Sequence, residues 1–293
     1  MFSYNETLEQ AIERNVNDAL LEDIGVCDWT AMLVPSDEIV KAHVIVKQDH
    51  AVLCGRPWFD RCILKLDPQA KIEWNFEEGD VMPNQAVVCT ITSNGRSILS
   101  AERPALNFLQ TLSYVATVTH SYVQAIADIK VNPRGCKMLD TRKTLPGLRQ
   151  AQKYAVRVGG GQNHRMALWD GILIKENHIM AAGSITAAVK AAIALNAKVS
   201  IQIEVESLEE MEEALAAGAH SILIDDFSLE QMQQAVKINQ GRALLEVSGG
   251  VDIEQLRKIA MTGVDRISSG KLTKNVEAID YSMRVIARIE SNN

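Results

Sequence analysis

Six short apolar runs dominate the second half of the chain: KMLD (137–140), GILIK (171–175), VSIQIEV (199–205), SILID (221–225), ALLEV (243–247) and DRISS (265–269). Amphipathic segments such as 207–217 and 228–239 separate them. Strands buried on both faces read as continuous apolar runs, and parallel neighbours need a crossover of a dozen or more residues, usually a helix. The rhythm therefore predicts parallel βα units. An eightfold barrel takes ~250 residues, so six units between 137 and 269 imply an incomplete, open parallel βα barrel.

The first half reads differently. Apolar positions Leu8, Ala11, Ile12, Val16, Ala19 and Leu20 recur at helical spacing behind Asn5 or Thr7, either of which can cap a helix over 5–21. Residues 39–47, 71–76 and 86–92 are short and β-branched or alternating, with turn chemistry at Asp67-Pro68 and Met82-Pro83-Asn84 between them. They predict a small antiparallel sheet. From Ser97 the pattern is helical, with Pro104 either kinking the helix or sitting in its first turn. The expected organisation is an N-terminal α+β sandwich domain over 1–115 and an open α/β barrel over 116–274.

Charge then singles out one stretch. Between Lys137 and Lys175 there are eight Lys and Arg against Asp140 and Asp170, a local balance of +6 in a chain of net −7. Focused positive charge on an acidic protein points to a small anion rather than to nucleic acid. Arg149, Lys153 and Arg157 read equally well as the wet face of a helix. Five cysteines, none in a CxxC pair, argue against a disulfide framework and against a zinc site. His43 and His50 lack a partner at ligand spacing and read as ordinary strand and turn residues. No run approaches the ~20 apolar residues of a membrane span, and MFSYNETLEQ has no signal-peptide pattern, so a soluble cytoplasmic protein is expected.

In a βα barrel, functional groups collect at the carboxyl ends of the strands. Those positions are Asp140, Arg142 and Lys143; Lys175 and Glu176; Glu204 and Glu206; Asp225 and Asp226; Ser248, Gly249 and Gly250; Ser269, Gly270 and Lys271. Glycines at the last two ends let backbone N–H groups approach a phosphate. The carboxylates of Glu204 and Asp225 suit ribose hydroxyls or Mg²⁺, or are simply helix caps. Gly159-Gly160-Gly161 follows a helical segment and reads as a helix stop that turns His164 and Arg165 back over the site.

Three segments in order, DTRKTLPGLR (140–149), KYAVRVGGGQNHR (153–165) and LIKENHI (173–179), resemble the quinolinate phosphoribosyltransferase family. The resemblance extends upstream, where ERPALNFLQTLSYVATVTH is similar to the family's ERxxLNxLQxxSGIATxT helix, and downstream through IEVES, ILIDDF, LLEVSGG and DRISSGKLT. The chain departs from the pattern at Leu145, where Thr is usual, and at Tyr114 and Val115, which replace Gly and Ile. The resemblance implies a seven-stranded open barrel, and a C-terminal tail, 275–293, that returns to complete the small domain. It implies a Mg²⁺-dependent pentosyltransferase joining quinolinate to phosphoribosyl pyrophosphate with loss of CO₂, giving nicotinate mononucleotide and diphosphate for de novo NAD synthesis.

On that resemblance, Arg142, His164, Arg165 and Lys175 would hold the pyridine dicarboxylate, with Thr141 nearby, and Lys143 would face the leaving diphosphate. Glu204 and Asp225 would serve the ribose and Mg²⁺, directly or through water. Ser248, Gly249, Gly250, Ser269, Gly270 and Lys271 would cradle the terminal phosphate. Catalysis would fall to Lys143, Lys175, Glu204 and Asp225. Arg103, which composition alone reads as a surface ion pair with Glu102, would enter a neighbouring subunit's site, making a homodimer or a trimer of dimers. Three other readings stay open: a sugar-phosphate isomerase or aldolase using Lys175 as a Schiff base, a phosphoribosyltransferase for another aromatic acid, and a non-catalytic anion binder.

Overall fold

The computed structural model describes residues 5–289. It divides into two compact units, one of 1–118, 145–159 and 276–293, the other of 119–144 and 160–275. The sequence reading cuts the chain near 115 and returns the tail 275–293 to the first domain; the structure in addition assigns 145–159 to the first unit.

The first unit opens with α1 (Leu8–Ile24), capped by Thr7 through a reciprocal capping box with Gln10 and burying Ala11, Ile12, Val16 and Leu20. Strand β1 (Ile39–Val46) alternates half-buried and buried residues, so Val40, Ala42, Val44 and Val46 face the core. After the short β2 (Ala51–Val52), α2 (Arg56–Leu66) buries Trp58, Phe59, Cys62 and Ile63. Strands β3 (Lys71–Trp74), β4 (Val81–Met82) and β5 (Val87–Asn94) follow. The main sheet is antiparallel in the order β12-β1-β5-β3, where β12 is Tyr281–Ile289, and β2 pairs with β4 separately. Helix α3 (Gly95–Ile126) begins before Ser97, so Pro104 lies in its interior rather than its first turn.

Buried Trp58 donates to Asn15 Oδ1 at 3.3 Å, and Asn15 donates to Gly147 O at 3.0 Å. Those bonds tie α1 and α2 to the segment carrying α4 (Arg149–Val158). On α4, Lys153 is fully buried. That corrects its reading as a wet-face cation, because an ammonium taken out of water persists only where the fold pairs it. Arg157 does lie exposed.

The second unit holds β6 (Lys137–Leu139), β7 (Gly171–Ile174), α5 (Glu176–Ala182), α6 (Ile185–Ala194), β8 (Ser200–Val205), α7 (Leu208–Ala216), β9 (Ser221–Ile224), α8 (Leu229–Asn239), β10 (Leu244–Ser248), α9 (Ile253–Ala260), β11 (Arg266–Ser268) and α10 (Lys271–Lys274). All six strands pair in parallel in the order β6-β11-β10-β9-β8-β7. β6 and β7 are consecutive in the chain and stand at opposite ends of this order, so the barrel is open between them. The resemblance implies a seventh strand without placing it; on the outer edge of β6 a single parallel bridge joins Leu139 to Gln162. Gly160, at φ +88°, makes the turn after α4. Three glycines immediately before Gln162 leave little strand-forming sequence there, which accounts for a bridge in place of a strand.

Candidate active site

Each strand-end group meets the next along the sheet. At the β6 end, Thr141 Oγ1 accepts from the Lys143 backbone N–H at 3.1 Å. Lys143 lies across Gly270, where a Cβ would sit 3.1 Å from Lys143 Cδ and 3.4 Å from Thr141 Oγ1. Thr273 Oγ1 donates to Lys143 O at 2.7 Å and fixes this approach from the β11 side. Buried Ser269 accepts from Lys271 N, and the Lys271 side chain reaches the neighbourhood of Gly250.

Ser248, Gly249 and Gly250 share a cavity of about 660 Å³ with Asp225 and Asp226. The Asp225 N–H donates to Val205 O at 3.0 Å, which carries the arc from β9 to β8. There Lys175 Nζ lies 2.6 Å from Glu204 Oε2, the lysine 44% exposed and the glutamate 11%.

Glu204 and Asp225 are not helix caps. The caps of α7 and α8 are Ser207 and Ser228, whose side chains accept from Glu210 N and Gln231 N. That frees both carboxylates for a ligand, although one Glu204 oxygen is already engaged by Lys175. Among the described residues no group of three or more His, Cys, Asp and Glu converges on a point. Two carboxylates at adjacent strand ends nonetheless fit Mg²⁺, which takes one or two from a protein and fills its shell with water and substrate phosphate.

His164 and Arg165 are held from below. The buried Asp140 carboxylate accepts from the His164 N–H at 2.9 Å and from Asn163 Nδ2 at 2.6 Å. The His164 ring turns into the barrel: its Nδ1 accepts from the Arg165 N–H at 2.8 Å, and its Nε2 meets Gln202 Oε1 at 2.9 Å. Both residues line a cavity of about 800 Å³ that also takes in the first residues of β8 to β11, at the amino-terminal end of the sheet. Arg165 Nη1 donates to Gly171 O at 3.0 Å. Burial first, and then the like charge of Arg142, lower the Arg165 pKa. An anion bound by both guanidiniums would offset that like-charge effect.

Arg103 is exposed on α3, in the first unit, with no carboxylate at salt-bridge distance among the described residues. Its charge still acts on Glu102, whose pKa is raised chiefly by burial and lowered in part by Arg103. Gln202 and Glu246 lie within their strands and not among the strand-end groups. Both are polar residues on the inward row of otherwise apolar strands, and that anomaly was the available signal.

Comparison with known proteins agrees with this layout. Residues 28–113 match the family described as Quinolinate phosphoribosyl transferase, N-terminal domain, and residues 115–284 match its C-terminal domain. The chain is 37% identical over 281 residues to a probable nicotinate-nucleotide pyrophosphorylase [carboxylating] of Bacillus subtilis, covering 96% of this chain and 95% of that one. Among solved structures, the nicotinate-nucleotide pyrophosphorylase of Francisella tularensis superposes with TM-score 0.89 at 41% identity, covering 96% and 98% of the two chains. NadC of Streptococcus pyogenes gives TM-score 0.91 at 38% identity, covering 98% and 100%. With two family domains matched in order across most of its length, the chain belongs to the quinolinate phosphoribosyltransferase family.

Proposed function

We propose that the protein transfers the phosphoribosyl group of phosphoribosyl pyrophosphate to quinolinate with decarboxylation, giving nicotinate mononucleotide, diphosphate and CO₂ in de novo NAD biosynthesis. One observation carries this reading: the row of successive strand ends from Lys143 and Gly270 through Lys271, Gly250 and Asp225 to Glu204 and Lys175, occupied in turn by cations, small residues and carboxylates. The Francisella and Bacillus relatives carry the name of this activity over nearly their whole length. Family membership displaces the isomerase–aldolase reading of Lys175.

In this mechanism the pyridine nitrogen attacks the anomeric carbon as diphosphate leaves, so charge develops at both ends of a loose transition state. Lys143 faces the departing diphosphate and the planar fork of Arg142 suits a ring carboxylate, while Arg165, whose Nη1 meets Gly171 O at the start of β7, would turn from there to reach the second. Glu204 and Asp225 lie toward the ribose and would hold Mg²⁺, which when bound neutralises diphosphate charge. Lys175, poised on Glu204, stabilises the electron density left on the ring carbon once CO₂ departs. The glycines beside Ser248 and Ser269 receive the terminal phosphate. A homodimer with Arg103 reaching the partner's site completes the proposal; its exposed guanidinium, with no carboxylate at salt-bridge distance among the described residues, is what supports it.

The test is direct. Purified protein with Mg²⁺, phosphoribosyl pyrophosphate and quinolinate should release mononucleotide and CO₂ in equal amounts. Turnover of nicotinate in place of quinolinate, with no CO₂, would overturn the dicarboxylate assignment.

A further inference from the structure

Glu246 stands on β10 with no solvent exposure, and one of its oxygens, Oε1, has no hydrogen-bond partner among the described residues. Its other oxygen accepts from Gln202 Nε2 at 3.0 Å. Gln202 Oε1 in turn meets His164 Nε2 at 2.9 Å, and the unpartnered Oε1 of Glu246 lies 3.6 Å from the same nitrogen. A buried carboxyl with one oxygen unsatisfied costs stability. Nothing in the arc of strand-end groups uses it.

The relay has a direction, set by Glu246 at one end and by the Arg165 N–H at the other. A carboxylate only accepts, so Gln202 must turn its NH₂ toward Glu246 and its oxygen toward His164. His164 must then carry its proton on Nε2. That leaves Nδ1 as an acceptor, which takes the backbone N–H of Arg165. At its far end the chain thus pins the residue whose guanidinium stands beside Arg142.

We propose that Glu246, acting through Gln202, is a positioning residue for quinolinate: it fixes the Nε2–H tautomer of His164 and thereby holds Arg165 where it receives a ring carboxylate. The proposal rests on the phosphoribosyl-transfer reading for its substrate, but not for the tautomer. An amide at 246 can donate or accept. Glu246→Gln therefore releases the direction of the relay without changing its shape, and it takes the carboxylate out of the buried site.

The experiment combines ¹⁵N spectra of ring-labelled histidine with steady-state kinetics and melting of the whole enzyme. In the wild type, His164 should show a single Nε2–H tautomer, whatever the substrate proves to be. Glu246→Gln should give mixed tautomers, a KM for quinolinate raised on the order of tenfold, an unchanged KM for phosphoribosyl pyrophosphate, and a Tm unchanged or higher. In a His164→Ala background, the added Glu246→Gln change should have no further effect on quinolinate binding.

A single unchanged tautomer in Glu246→Gln overturns the proposal. So does an undiminished effect of Glu246→Gln in the His164→Ala background. A variant that fails to fold, or that melts earlier with both KM values shifted together, assigns Glu246 to stability alone and overturns it as well. Failure of the wild type to use quinolinate would sink the functional reading, and the tautomer spectra would still decide the role of Glu246.

Discussion

Lys175 Nζ lies 2.6 Å from Glu204 Oε2, at the ends of the neighbouring parallel strands β7 and β8. Ile174 and Ile203 are partners in register, so the next residue on each strand is brought face to face by the sheet itself. Exposed ion pairs contribute little to stability. This one is better understood as a lysine stored in position for a ligand. Lys175→Ala should lower kcat/KM for quinolinate by about tenfold to a hundredfold, the equivalent of ~1.5 to 3 kcal/mol for a charge-assisted contact. Chemical denaturation should detect a stability change of less than ~1 kcal/mol; a larger loss of stability than of activity would contradict the assignment.

Glu204 and Asp225 predict a metal dependence. Activity should vanish in excess chelator and return with Mg²⁺, and Glu204→Gln and Asp225→Asn should each raise the Mg²⁺ concentration needed for half-maximal rate. If only one substitution moves the metal requirement, the other carboxylate serves the ribose alone. Full activity in chelator removes the metal from the mechanism.

Arg142→Ala should raise the KM for quinolinate by about tenfold or more through loss of a charge-assisted bond, and should relieve the like-charge repulsion on Arg165. Kinetics with quinolinate equal to those of the parent enzyme would remove Arg142 from the ring pocket.

Asp60, on α2, predicts a pH-dependent stability. Its carboxyl accepts from Trp74 Nε1 at 3.0 Å, and burial pushes its pKa up to about 6 from an ordinary 3.8. Because the folded value lies above the unfolded one, its contribution is fully present below about pH 4 and is lost as the pH rises through about 6. At about 1.4 kcal/mol per tenfold change in proton affinity, ionised Asp60 costs the fold on the order of 2 to 3 kcal/mol at neutral pH. Asp60→Asn keeps the acceptor and should raise Tm at pH 7, with the gain disappearing near pH 4. A gain independent of pH would show that ionisation is not its cause.

The proposed subunit exchange is testable by complementation. Arg103→Ala and Lys143→Ala dimers should each be nearly inactive, while dimers mixed by joint refolding should recover up to about a quarter of the parent rate under equal, random assortment. Verified mixed dimers that show no recovery would place Arg103 outside the shared site.

The parallel unit was legible because its strands are buried on both faces, and KML, GILI, SIQIEV, SILI, LLEVS and RIS all form strands where the apolar runs stand. The strand-end rule then placed Lys143, Lys175, Glu204, Asp225 and the late glycines at the carboxyl ends of their strands, where the structure has them. It failed for residues whose roles come from facing other strands. Gln202 and Glu246 are polar in the middle of a strand, and only the pairing of β8 and β10 with β9 between them reveals that both point inward. Lys153 was misread for a related reason: helical periodicity gives a face, but not what that face is laid against. The seventh strand shrank to one bridge because glycines occupy the chain just before it.

Strand β1 is hydrogen-bonded on one side to β5 and on the other to β12, whose residues begin about 235 positions further along. A ribosome delivers the chain from one end only, so β1 must wait with an open edge while the entire barrel sequence is made. At ~5 to 20 residues per second that wait lasts tens of seconds. During it, an eight-residue strand of alternating apolar character offers unpaired N–H and C=O groups to any other chain nearby. Removing residues 281–289 would make that transient condition permanent, so the tail that looks like an appendix to the barrel is what protects the first sheet from pairing with its neighbours.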